Sequence, residues 1–127
     1  MEMLHNAVSW FEISVADFDR ARRFYSTIYD FDMPVMDMGP VKMGILLHHR
    51  DNGGIGGAIM AGEMYTPSKQ GTRVYLNAGN DLNIVLNRVE GAGGKVVLIK
   101  SFLGDTMGYM AVIEDTEGNY VSLHSIN

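Results

Sequence analysis

A chain of 127 residues is the size of one compact domain, and its 46% hydrophobic content lets it bury a useful core. No apolar run approaches a membrane span, and the lack of cysteine excludes disulfides, cysteine metal sites and thiol catalysis. The net charge is −5 and the one dense basic cluster, Arg20, Arg22 and Arg23, sits beside Asp17 and Asp19, so a nucleic-acid footprint is not expected.

The opening M-E-M-L-H-N lacks the basic and apolar parts of a secretion signal, and a cytoplasmic location is expected. Asn6 to Val15 reads as the first strand, because Phe11, Ile13 and Val15 alternate with Glu12 and Ser14. The period then changes. Asp17 is placed to cap a helix, and Phe18, Ala21, Phe24 and Ile28 recur at spacings of three and four, predicting a helix to about Tyr29. A second strand is expected from Phe31 or Asp32 to about Met36, a turn at Met38-Gly39-Pro40, and a third strand from Lys42 to His49. Asn52-Gly53, within Arg50 to Gly54, is a hairpin signal before a fourth strand, Ile55 to Met60. Residues 61–71 form a link, a lid or a plain crossover, that holds Tyr65 and Lys69.

The order then repeats. Thr72 to Ala78 is a strand, and a helix capped by Asn80 or Asp81 runs from about Asp81 to Glu90 until Gly91, Gly93 and Gly94 stop it. Lys95 to Lys100 is a strand, Phe102 to Thr106 a loop, Met107 to Glu114 a strand, Asp115 to Gly118 a tight turn, and Asn119 to Ser125 the last strand. One offset of 64 residues relates Asp17 to Asp81, Met43-Gly44 to Met107-Gly108, Asp51 to Asp115 and Gly54 to Gly118, which indicates a duplicated unit. The chain is thus one α+β domain of two βαβββ units, about 6–60 and 72–126. Each sheet covers one face with its helix and needs a partner for the other, so a cleft between the uncovered faces is the expected ligand site.

Three segments carry a family likeness: W-F-E-I-S-V-A-D-F-D-R-A-R-R-F-Y at 10–25, V-Y-L-N-A-G-N-D-L-N-I-V-L-N-R-V-E-G-A-G-G-K-V at 74–96, and D-T-E-G-N-Y-V-S-L at 115–123. With their spacing they make the chain resemble the vicinal oxygen chelate superfamily, also called the glyoxalase/bleomycin-resistance/dioxygenase superfamily. The resemblance implies two tandem βαβββ units forming a curled eight-stranded mixed sheet around a cavity, and a homodimer, in some members with cavities built from both chains. It also implies four strand positions for metal ligands, which fall here on Trp10, Ala58, Val74 and Ser122. None is a useful ligand for a divalent ion, so neither a metal nor another cofactor is expected, which argues against a glyoxalase-type isomerase or an extradiol dioxygenase.

Strand parity turns Trp10, Glu12 and Ser14 toward the cavity, with Gly56, Ala58 and Met60 on the fourth strand and Tyr120, Ser122 and His124 on the last. On the fifth strand the family register points Val74, Leu76 and Ala78 inward and leaves Tyr75 and Asn77 outside. Trp10 either stacks on a flat ligand or plugs the space of a metal site. Glu12 either meets a ligand proton or amine, or reaches solvent or an arginine. His48 and His49 point to opposite faces, and one of them could line the cavity with His124. Glu12, His48 and His124 are the candidate catalytic groups for acid–base chemistry. Trp10, Ser14, Met60, Tyr65, Tyr109, Tyr120 and Ser122 are the candidate ligand-binding residues, with Lys69 at the rim. No nucleophile elbow, phosphate loop or dinucleotide fingerprint is present. Three functions follow: a binder of a small hydrophobic or cationic aromatic ligand, a metal-independent lyase or isomerase using Glu12 and a histidine, or an interaction protein whose cavity is filled by Trp10 and some of the 10 methionines.

Overall fold

The change of period at Asp17 is where β1 (Phe11–Ser14) gives way to α1 (Phe18–Tyr29) in the computed structural model, which describes all 127 residues. β2 (Val35–Asp37), β3 (Lys42–Ile45), a single 3-10 turn (Asp51–Gly53) and β4 (Gly57–Ala61) complete the first unit. The second repeats the order: β5 (Tyr75–Asn77), α2 (Asn83–Val89), β6 (Lys95–Gly104), β7 (Gly108–Glu114) and β8 (Tyr120–Ser125). The strands make two mixed four-stranded sheets, β1-β4-β3-β2 and β5-β8-β7-β6. Each unit returns its last strand parallel to its first.

Capping and an apolar stripe explain α1. The Asp17 carboxylate accepts the Arg20 N–H at 3.1 Å, and Asp30 closes the helix in the left-handed region at φ 51. Phe18, Ala21, Phe24, Tyr25 and Ile28 are its buried residues. They join a core of 20 residues that also takes Ile13, Val15 and Ile59 from the first sheet, Leu76, Ile113, Val121 and Leu123 from the second, and Leu82, Val85 and Val89 from α2 and its start. Each large apolar side chain buried this way stabilises the fold by about 1.5–3 kcal/mol. Both helices therefore feed one core on the same side of both sheets.

No backbone–backbone hydrogen bond joins the units. The bonds that cross involve side chains. The Glu117 carboxylate accepts the Ala16 and Asp17 N–H groups at 3.1 and 2.7 Å and pairs with Arg20. Tyr25 donates to Asp115 at 2.7 Å, Asn119 to the Ser14 carbonyl at 2.8 Å, Tyr29 to the Asn77 carbonyl at 2.9 Å and Arg88 to the Ile28 carbonyl at 3.1 Å.

Several expected boundaries move. β1 starts at Phe11, leaving Trp10 just ahead of it, and β3 ends at Ile45, leaving His48 and His49 outside the strand. Asn52-Gly53 makes no two-residue hairpin; it is part of the 3-10 turn, with Asn52 at φ 63. α2 starts later than Asp81, which accepts the Asn83 N–H at 3.0 Å but is not the cap residue. β6 continues through the expected loop to Gly104.

The largest correction concerns β5. Tyr75 pairs with Ser122 and Asn77 with His124, while Leu76 and Ala78 are buried in the core. The uncovered face thus carries Tyr75 and Asn77 rather than Val74, Leu76 and Ala78. The cause is one extra residue between strand and helix. In the first unit Glu12 pairs with Ala58, which the 64-residue offset relates to Ser122, so Glu12 corresponds to Tyr75 and not to Leu76. A slip of one residue exchanges the two faces of a strand.

Candidate functional site

β1 and β5, the inner edges of the two sheets, border one groove with two basins. The first has a volume of about 520 Å³, and 10 of its 15 lining residues are hydrophobic, among them Trp10, Phe11, Leu47, Ile55, Val74 and Tyr75. The glycines make the room: a side chain on Gly57 would collide with the Phe11 ring, and one on Gly56 with the His48 ring. The second basin, about 370 Å³, is more polar and includes Glu12, Ser14, Thr66, Ser68, Asn119 and Tyr120. Phe11, Thr72 and Val74 line both basins. Depressions of about 680 and 650 Å³ lie along α1 and α2, but only 1 of 7 and 3 of 7 of their lining residues are hydrophobic. Concave, mostly apolar lining marks a small-molecule seat, which favours the groove.

The expected site residues fall into separate clusters. Glu12 accepts a hydrogen bond from Tyr65 at 3.0 Å, which fastens the link across the polar basin. That bond, and then burial, raise the Tyr65 phenol above its usual value. Trp10 is 39% exposed, with its ring edge-on to His48 at 6.2 Å. His48 Nδ1 lies 3.0 Å from the Leu46 carbonyl, and His124 Nε2 lies 2.6 Å from the Met107 carbonyl. No hydrogen bond connects Glu12, His48 and His124 with one another.

Ser14 contributes its carbonyl to Asn119, and Met60 is buried. Tyr109 stands at the other side of the second sheet, under Lys100 Nζ at 4.6 Å and beside Phe102 at 5.4 Å. Tyr120 carries two cations: Lys69 Nζ and the Arg73 guanidinium carbon each lie 5.6 Å from its ring centre. Ser122 is fully buried, and its hydroxyl has no hydrogen-bond partner. The strand ladders place Glu12 opposite Ala58 and Tyr75 opposite Ser122, with Trp10 and Val74 just ahead of β1 and β5. No group of three or more histidine, aspartate or glutamate side chains gathers in a way that could hold a metal ion.

Among the groove residues that escape the sequence reading are Arg73 and Tyr75. Arg73 and Tyr75 belong to T-R-V-Y-L-N-A, whose simple alternation puts Arg73, Tyr75 and Asn77 on one face; parity alone, without the family register, would have selected them. A buried cluster behind the groove was also unforeseen. Asp115 accepts from Tyr25, from the backbone N–H groups of Glu117 and Asn119, and from the Asn119 side chain, all within 2.9 Å. Burial, then the Asp115 charge, push the Tyr25 phenol well above its usual value.

A family model described as Glyoxalase/Bleomycin resistance protein/Dioxygenase superfamily matches residues 7–123. Among solved structures the fold is similar to a hypothetical protein from S. aureus (TM-score 0.61, 15% identity, covering 98% of this chain and 95% of that one). It is similar to a glyoxalase/bleomycin resistance protein from Albidiferax ferrireducens T118 (TM-score 0.64, 14% identity, 94% and 98% covered). It also matches glyoxalase I from Zea mays (TM-score 0.68, 18% identity), covering 93% of this chain but 45% of that longer one. At such identities these likenesses concern the fold alone. Among curated proteins, none matches.

Proposed function

The chain belongs to the glyoxalase/bleomycin resistance protein/dioxygenase superfamily, and from that premise we propose that it is a small-molecule binding protein whose ligand lies in the groove between the two units. The observation that carries this reading is the apolar basin of about 520 Å³, with Trp10, Phe11, Tyr29 and Tyr75 among its walls. That volume suits a drug-sized ligand, and aromatic walls favour a flat one. Glu12 lies outside this basin and is engaged by Tyr65, which supports binding rather than proton transfer at that carboxylate. The free sheet edges support self-association into a homodimer: β2 exposes Val35 and Met36, and β6 exposes Val97, Ile99 and Phe102.

Trp10 is the sole tryptophan and reports directly on the basin. A neutral flat probe, naphthalene-2-carboxamide, is expected to change its fluorescence saturably, with one probe per chain. Leu47→Glu places a charge in the apolar wall at a half-exposed position and is expected to abolish that change with the circular dichroism intact. A signal that never saturates, or that ignores Leu47→Glu, would overturn the reading.

A further inference from the structure

The charge inside the apolar basin is one-sided. Of the 15 residues that line the apolar basin, none is acidic and Arg73 alone carries a charge. This occurs in a chain with 15 acidic and 10 basic residues, so the lack of acid there is not a general shortage. Arg73 also has no carboxylate partner. The four ion pairs of the chain are Arg20–Glu117, Arg22–Asp32, Lys69–Glu114 and Lys100–Asp81. Lys69 and Arg73 rest against the same Tyr120 ring at 5.6 Å, yet only Lys69 is neutralised, by Glu114 at 3.5 Å.

The position of Arg73 fits an anchor. It stands between Thr72 and Val74, which line both basins, and therefore at the junction of the apolar basin and the polar one. The chain just after it is held by one strand, β8: the Ser122 N–H donates to the Val74 carbonyl at 3.0 Å, and Tyr75 pairs with Ser122. The side chain is exposed and free to turn, with an aromatic face to rest on when no anion is present. A guanidinium is a planar fork of donors that matches a carboxylate in two parallel bonds. The aromatic walls would take the body of the same molecule.

We infer that the groove selects an aromatic carboxylate, its ring against Trp10 and Tyr75 and its carboxylate paired with Arg73. The inference rests on the binding reading above and sets an anionic aromatic ligand in place of the hydrophobic or cationic aromatic one expected from the sequence. It names a ligand class and a specificity-determining residue.

Calorimetric titration of the full chain with three probes of one shape tests it: naphthalene-2-carboxylate, naphthalene-2-carboxamide and 2-naphthylmethylamine. The carboxylate is expected to bind about tenfold tighter than the amide, since a charge-assisted bond at a partly exposed site has that order of effect, and the amine more weakly than both. Arg73→Met should remove the preference for the carboxylate over the amide; Arg73→Lys should restore part of it. Naphthalene-2-sulfonate separates carboxylate geometry from charge alone: weaker binding than the carboxylate agrees with the fork, and equal or tighter binding overturns the carboxylate assignment. Equal affinities for carboxylate and amide, or a preference that survives Arg73→Met, overturn the anchor while leaving the groove reading intact. No heat with any probe overturns the groove reading and the anchor together.

Discussion

The two units share a strand order but close their last turn in opposite ways. Ahead of β8, Asp115 is 3% exposed and gathers four hydrogen bonds, from Tyr25, Glu117 and twice from Asn119. Next to it, Glu117 reaches the start of α1 in the other unit. Ahead of β4, the echoing Asp51 is exposed in a 3-10 turn and makes no side-chain hydrogen bond or ion pair. Gly118 sits at φ 88, whereas its counterpart Gly54 sits at φ −61. The two units keep one topology, and the work of joining them falls to one of the two turns.

Substitutions can break that asymmetry. Asp115→Ala should be the most damaging, costing about 3–5 kcal/mol, because it removes a buried charge and leaves its donors unpaired. A fall in the denaturant midpoint without a gain in slope checks it. Glu117→Ala should cost about 1–3 kcal/mol by freeing the Ala16 and Asp17 N–H groups and Arg20. The same residue gives the contrast a pH signature. Burial opposes ionisation of Glu117, but the hydrogen bonds from Arg20, the Asp17 N–H and Thr116 outweigh it and hold the carboxyl below its usual value. The folded chain then binds this proton less readily than the unfolded one. The stabilisation is present above the unfolded value of about 4.3 and is lost as pH falls through the lower folded value. Acid unfolding of Glu117→Gln should show a shallower loss across that window.

Gly79→Ala should cost about 1 kcal/mol, since Gly79 lies at φ 78 in the loop that holds the extra residue of the second unit. Asp51→Ala should change stability by about 0.5 kcal/mol or less. An effect of Asp51→Ala comparable with that of Asp115→Ala would dissolve the contrast between the two turns.

Much of this was legible from residues alone. α1 announced itself through Asp17 and a stripe of three- and four-residue spacings, because capping and amphipathicity are both local. The core-facing side of β1 was legible from Ile13 and Val15, although Phe11, of the same parity, also lines the groove. β5 was not, since the family register overrode the alternation of T-R-V-Y-L-N-A, and the additional residue near Gly79 reverses the faces of Tyr75–Asn77. Arg73 was hidden for the same reason. The bonds of Asp115 span 90 residues to Tyr25, and no local pattern encodes a partner at that distance.

The seam without a backbone ladder has a consequence for how this architecture diversifies. Where two strands share a ladder, a change in their spacing breaks a row of bonds at once. Here β1 and β5 meet through side chains, so the span of the groove is written in residues such as Phe11, Val74 and Tyr75, which can be exchanged one at a time. A lineage built on this plan can retailor what it accommodates by single substitutions while both sheets keep their pairing.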